Sequence, residues 1–314
     1  MNNTAQKTET TVIDATAYAA TTEAIRTEAA KLLTEGKVAA VVGYIPGRRK
    51  GTAIPGIVTD PEQAKDLLFS PACVNNLALY LTKAKKEVSK KGRLAIVAKG
   101  CDMRALAGLM GESQLKREDV VIIGVACAGV HGSGIHPAEP LTSATIARKC
   151  RECTVHEPTG ADLVCGKVPT LPELIAVEQE ELAKLEAMTP QERWAYWKEQ
   201  FSRCVRCMAC RQVCPFCYCE QCLCDRNRPQ AVDSSPRPAG NMGWHIVRAM
   251  HLAGRCAGCA ECERACPMDI PLNLLNRKMA QELKELYGHE AGLEAKEKGP
   301  LAEYKEDDDQ SFIK

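Results

Sequence analysis

The chain has 314 residues, 45% of them hydrophobic, which is enough to bury a sizeable core and long enough to suggest two domains. Its 41 lysines and arginines are matched by 40 aspartates and glutamates, a net charge of +1, so no chain-wide field favours nucleic acid or an anionic membrane surface. No stretch approaches the roughly 18 consecutive apolar residues of a membrane span, and the N-terminal MNNTAQKTETTVIDAT lacks the basic and apolar regions of a secretory signal. A cytoplasmic chain without direct membrane insertion is therefore expected, and in that setting its 18 cysteines point to metal rather than to disulfides.

Residues 1–16 read as disordered, and a helical pattern follows through Ala19, Ile25, Ala29, Leu32 and Leu33 to about Gly36. VAAVVGY (38–44) is a short, Val-rich run of the kind that suits a strand buried on both faces. A turn-rich segment with Pro46, Gly47, Gly51 and Pro55 comes next, and Asp60 before Pro61 is an N-cap with proline at the first helical position, opening a helix to about Phe69. Residues 75–90 form a surface helix, LAIVA (94–98) a second strand, Asp102 the cap of a helix through Leu109, and VVIIGVA (120–126) a third strand. This alternation predicts an α/β domain with a parallel sheet over residues 17–165. His131 and His136 fall in a Gly-rich loop, where exposure to solvent is the default.

A helical connector spans 166–203, and Thr189-Pro190-Gln191-Glu192 forms a capping box for the helix that delivers Cys204. Residues 204–288 make a second, mainly helical domain, in which a helix holding Trp244, His245, Ile246, Met250 and His251 precedes Cys256 and an amphipathic helix follows Pro271. A flexible tail, 289–314, completes the chain.

The strongest motif is a repeat, CVRCMACRQVCP from Cys204 and CAGCAECERACP from Cys256, both reading C-x-x-C-x-x-C-x-x-x-C-P. Three cysteines spaced by two fold round one 4Fe-4S cubane, while the helix that follows carries the fourth to the other cluster, as in two-cluster ferredoxins. One cluster is accordingly assigned to Cys204, Cys207, Cys210 and Cys266, and the second to Cys256, Cys259, Cys262 and Cys214. Structural zinc draws its ligands as two separated C-x-x-C pairs, unlike two complete copies of this spacing. Arg203, Arg206, Arg211, Arg255 and Arg264 lie in or beside the motifs, either raising cluster potentials or simply solvated. The run CYCEQCLC places Cys217, Cys219, Cys222 and Cys224 close together, a candidate for a further 4Fe-4S cluster or a zinc ion, alone or shared with Cys73 or Cys165.

Cys101 and Cys127 follow the second and third strands directly, at the strand C-terminal ends where open α/β sheets collect ligands. Cys150 and Cys153 form a C-x-x-C on a segment free to return to that edge, so four thiolates can converge there. Here AIVAKGCDMRAL (95–106), IIGVACAGV (122–130) and KCREC (149–153), with the 204–266 module behind them, resemble the beta subunits of deazaflavin-coenzyme-reducing hydrogenases and formate dehydrogenases and their dicluster-ferredoxin relatives, over most of residues 20–280. The resemblance implies a further 4Fe-4S cluster on Cys101, Cys127, Cys150 and Cys153. The family's flavin-binding members carry G-G-x-x-T-A-L ahead of the first strand, whereas this chain has DATAYAATTEAIRTEAAKLL without a glycine, so the resemblance does not carry FAD over.

The expected role is an electron relay, joining a hydrogenase, formate dehydrogenase or heterodisulfide-reductase-like subunit to an acceptor, with other oxidoreductase subunits as partners and no nucleic acid. No Ser-His-Asp set, paired-carboxylate site or Walker-type loop argues for chemistry on a substrate. A flavin oxidoreductase subunit feeding the same clusters and a zinc-stabilised interaction module are the two alternatives.

Overall fold

A computed structural model describes residues 13–14, 16–84, 92–151, 153–167, 180–293, 299–300, 302, 306 and 311. Of residues 1–16, expected to be disordered, 1–12 and 15 lie outside that set, as do most of the first half of the helical connector and most of the tail beyond residue 293, but Ile13 is buried in a bridge with Leu141 and Thr16 opens a 3-10 turn, so that expectation is corrected there. The chain divides into two units, one of Met1–Asn75, Ala95–Gly100 and Val121–Glu178, the other of Asn76–Leu94, Cys101–Val120 and Gln179–Lys314.

The first unit is built on a five-stranded sheet of order β2-β1-β3-β4-β5, with β1 at Ala40–Pro46, β2 at Ala53–Val58, β3 at Leu94–Ala98, β4 at Val120–Val125 and β5 at Leu163–Cys165. Strands β3 and β4 are buried along their whole length, as ungapped apolar runs require, while β2 is buried only at its two ends. Helix α1 (Ala19–Thr34) lays Thr21, Ile25, Ala29 and Leu32 inward, and Tyr18, Phe69 and Tyr44 meet edge to face at 5.0 and 6.5 Å.

The sheet is mixed, not parallel throughout. β4 and β5 pair in parallel, but β1 and β2 are antiparallel, with Tyr44 opposite Pro55. A connection of only six residues cannot make a parallel crossover, and a hairpin is what it permits; the Gly47 N–H closes it on Thr52 O at 2.8 Å. Pro55 is tolerated because β2 lies at the edge.

Two local expectations are also corrected. His131 is buried, paired with Ile146 in an isolated bridge, and its Nε2 meets Glu139 O at 3.0 Å. Asp102 does not cap its own helix: α3 (Gly100–Gly111) begins two residues before it, and the Asp102 carboxylate accepts from the Leu77 N–H at 2.6 Å, ahead of α2 (Ala78–Ala84). The cap at Asp60 is present, its carboxylate accepting from Glu62 N–H at 2.9 Å, on a 3-10 turn that stops at Asp66. A single helical turn, α4 (Arg148–Arg151), carries Cys150.

In the second unit, α3 (Gly100–Gly111) joins α5 (Glu180–Ala187), α6 (Pro190–Ser202), α7 (Ala209–Gln212), α8 (Pro238–His251), α9 (Glu261–Arg264) and α10 (Leu272–Tyr287). The capping box of Thr189 and Glu192 is formed in both directions. The chain after α10 begins as packed structure, since His289 and Ala291 are buried and Ala291 O accepts from Arg104 Nε and Nη2 at 3.0 and 2.8 Å.

Burial holds the His131 imidazole below its ordinary pKa of about 6.5. The unfolded chain therefore takes up a proton that the folded chain refuses, and stability is lost as pH falls below about 6.5 toward the folded value. Urea unfolding of H131N across that window should show a flatter dependence on pH than wild type; an identical slope would refute this origin.

Candidate metal centres

The two cysteine repeats fold alike. In the first, Arg206 and Met208 take positive φ of 56° and 62°; at the matching places in the second, Gly258 and Ala260 take 67° and 52°. Side chains other than glycine rarely adopt this conformation, so three such residues at matched positions mark a backbone held for a purpose. The turn aims main-chain N–H groups at sulfur: Arg206 N–H donates to Cys204 Sγ at 3.4 Å, and the Gly258 N–H bonds to the Cys256 sulfur in the same way. Each turn opens a single helical turn, α7 or α9, which carries the third cysteine, Cys210 or Cys262, into the interior.

The fourth cysteine of each repeat lies with cysteines of the other: Cys266 with Cys204, Cys207 and Cys210, and Cys214 with Cys256 and Cys262. Cys204, Cys207, Cys210 and Cys266 line one cavity with about 330 Å³ of open space, its mouth included, walled by Trp244, His245, Met268, Ile270 and Leu272. Burial pushes the Cys204 thiol up, and Cys266 and Cys207 beside it push further. Burial likewise pushes Cys262 up to about 12, with Cys256, Cys214 and Cys210 as its sulfur neighbours. Cys256 is raised by burial and by Cys214, and Cys259 is buried on the loop before α9. Asn276, buried on α10, donates from Nδ2 to Cys262 Sγ at 3.6 Å.

As free thiols these groups are costly to ionise, and a positively charged centre bound to the sulfur reverses that cost. Soft sulfur donors, an apolar wall and N–H groups directed at sulfur fit an iron-sulfur cluster. Among the described residues no three His, Cys, Asp or Glu side chains close on a single-ion site.

In the first unit, Gly100 permits the return of the C-x-x-C segment to the sheet edge, since a Cβ there would sit 1.7 Å from Val155 O. The Cys127 N–H donates to His156 O at 3.0 Å, Val130 N–H to Cys150 Sγ at 3.4 Å, and Cys153 Sγ to Val155 O at 3.4 Å. The Tyr18 hydroxyl accepts from Ala128 N–H at 3.0 Å, and its pKa is raised by burial and by the neighbouring Cys127, Cys150 and Cys73. Cys73 thus joins Cys127 and Cys150, which the spacing alone did not indicate. Its loop is clamped by Lys99, which donates to Asn75 O at 2.6 Å and Tyr44 Oη at 2.5 Å, and by Lys149, which donates to Val74 O at 2.9 Å. Cys101 opens α3, and its carbonyl accepts from Asn76 Nδ2 at 2.9 Å in the second unit. Cys165 is buried at the end of β5, its thiol raised by burial and by Glu28.

No family model matches the chain. The F420-dependent formate dehydrogenase subunit beta of Methanocaldococcus jannaschii is 23% identical over 345 aligned positions, covering 84% of this chain and 89% of its own. The F420-dependent formate dehydrogenase 1 subunit beta of Methanococcus maripaludis is 23% identical over 348 positions, covering 84% and 88%. The chain is a homologue of these formate dehydrogenase beta subunits. Among solved structures, a chain of the xenon-derivatised F420-reducing NiFe hydrogenase complex of Methanosarcina barkeri matches 37% of this chain and 39% of its own at 15% identity and a TM-score of 0.29, too slight a likeness to argue from.

In the CYCEQCLC run, Cys222 hydrogen-bonds Cys224 and packs with it against the core. Cys217, Cys219 and Cys222 border an open hollow with Thr82, Arg211 and Tyr218, whereas Cys224 turns into the core with Phe201 and Trp244. Cys217 hydrogen-bonds Cys214, which holds its thiol below the ordinary range, while burial and the adjacent Cys222 push Cys224 up to about 11.

Three of the arginines marked in the sequence are paired with carboxylates: Arg211 with Asp225, Arg264 with Glu261 at 2.7 Å and Arg255 with Glu112. Arg206 donates to Gly240 O at 2.9 Å and stacks over Trp244, and Arg203 bonds Gln200. Glu112 accepts from Arg255 Nη2 at 2.8 Å and from the Tyr218 hydroxyl at 2.7 Å, tying the segment before Cys256 to the CYCEQCLC run. Removing this half-buried carboxylate strands a guanidinium, so E112A should cost roughly 1–3 kcal/mol in urea unfolding of the loaded chain. A loss below about 0.5 kcal/mol would show that the pair is merely a surface contact.

Proposed function

We propose that this chain is an iron-sulfur electron-transfer subunit, relaying single electrons between a catalytic subunit of the hydrogenase, formate dehydrogenase or heterodisulfide-reductase-like kind and an acceptor. The observation that carries the reading is the exchange of fourth cysteines between the repeats, Cys266 beside Cys204, Cys207 and Cys210, and Cys214 beside Cys256 and Cys262. Its relatives are named as subunits of F420-dependent formate dehydrogenases, which supports membership of an oxidoreductase assembly.

When bound, a 4Fe-4S cluster takes up and gives back one electron at a time at nearly fixed geometry. The protein's part is to hold that geometry. Phe201 stacks on Trp197 and on His245, with centroids 5.3 and 4.4 Å apart, and this aromatic column backs the His245 ring that lines the first cavity. The His245 imidazole is driven down to about 3 by burial and by Arg248 and Arg206, so it stands neutral at physiological pH and adds no charge beside the sulfurs. The main-chain N–H groups at Arg206 and Gly258 stabilise negative charge on sulfur in either redox state.

A third cluster on Cys101, Cys127, Cys150 and Cys153 belongs to the same reading, supported by the family resemblance and by the closeness of Cys127 and Cys150. The reading contains no flavin step. The CYCEQCLC cysteines are left as a further candidate site for iron-sulfur or zinc.

Anaerobic purification with iron and sulfide analysis should give about twelve irons per chain, rising to about sixteen if the run adds a cubane. C266S and C214S should each alter a different cluster's EPR signal and spare the other. Both variants disturbing the same signal, or zinc without acid-labile sulfide, would overturn the relay. C101S and C73S compared by iron content decide which thiol completes the third set; only the former should lose iron.

A further inference from the structure

Helix α8 buries Trp244, His245, Arg248 and Ala249 on one face. Arg248 is the anomaly among them, a guanidinium left only 6% exposed. Its Nη2 donates to Cys210 O at 3.2 Å, while its Nε is fully buried and has no hydrogen-bond partner. The groups that face it are sulfurs from both repeats, Cys210 and Cys214 from the first and Cys262 from the second, together with Cys217 of the CYCEQCLC run, to which its side chain hydrogen-bonds. Among the described residues it makes no ion pair, in contrast to Arg211, Arg255 and Arg264.

A buried cation without a carboxylate is costly, and neutral thiols do not offset that cost. Anionic clusters ligated by the sulfurs around it would. Four thiolates on a cubane leave net negative charge, which grows by one on reduction, and two such centres near each other repel. A fixed positive charge bordering ligands of both relieves that repulsion and favours the reduced state of each.

We propose that Arg248 is the shared counter-ion of the two cluster sites, a positioning residue that raises both reduction potentials together. This rests on the dicluster reading of the repeats. The raised pKa of the guanidinium, held against desolvation by the four surrounding cysteines, accords with it.

The test is an EPR-monitored redox titration of the full chain, purified anaerobically, as wild type, R248K and R248Q, with iron and sulfide measured on each. R248Q should shift both midpoint potentials to more negative values, and R248K should shift both by less. R248Q failing to retain clusters while R248K retains them near wild-type potentials would equally support the charge. The proposal is overturned if loaded R248Q leaves both potentials unchanged or moves only one, or if both variants lose iron and sulfide alike, which would make Arg248 a packing residue. Wild-type chain without iron and sulfide would sink the dicluster reading itself, before any variant is compared.

Discussion

Sulfur brought out of water is the constraint on which the second unit depends. Cys210, Cys214, Cys259 and Cys262 are all buried, and Cys204 and Cys256 sit against other thiols, so the burial that assembles the lobe also opposes ionisation of its cysteines. Protonated thiols would make this a weakly polar core; thiolates bound to a cationic inorganic centre make it a charged one whose electrostatics must be balanced locally. The features around them are of the balancing kind: N–H groups turned to sulfur by left-handed residues, the Asn276 amide on Cys262, and the Arg248 guanidinium among sulfurs of both repeats.

The surrounding structure follows from the need to hold those turns still. The capping box at Thr189 fixes the start of α6, whose far end carries Phe201 into the aromatic column and then releases the chain at Cys204. On the other side, Glu112 anchors Arg255 and Tyr218, and Arg104 on α3 holds the Ala291 carbonyl and faces Glu290 at 3.6 Å. Ion pairs of this kind are worth little as bulk stability, but they neutralise Arg211, Arg255 and Arg264 and leave Arg248 with the sulfurs.

Much of this was readable in the sequence because its signals are local. Strands β1, β3 and β4 were announced by ungapped Val and Ile runs, the helix starts by Asp60 and Thr189, and the repeats by spacing alone. What was missed depends on partners distant in sequence. Pro46, Gly47, Gly51 and Pro55 read as a loop because proline argues against a strand, and only a position at the sheet edge makes β2 possible. The glycines around His131 suggest exposure to solvent, yet it bridges Ile146 and its Nε2 meets Glu139 O. Arg248 lies on an amphipathic helix, where a charged residue defaults to the outer face; its burial becomes sensible only once sulfurs from residues 210 to 262 converge on it. Cys73, without a neighbouring cysteine, had no spacing to betray its place beside Tyr18.

Everything proposed for the second unit turns on each repeat lending its last cysteine to the other's cluster. Diffraction from anaerobically grown crystals, with anomalous maps at the iron edge, tests it most directly. Two cubanes are expected in the second unit, with Cys266 Sγ bonded to the one held by Cys204, Cys207 and Cys210, and Cys214 Sγ bonded to the other. Iron confined to each repeat's own four cysteines, or density that peaks only at the zinc edge, would contradict it.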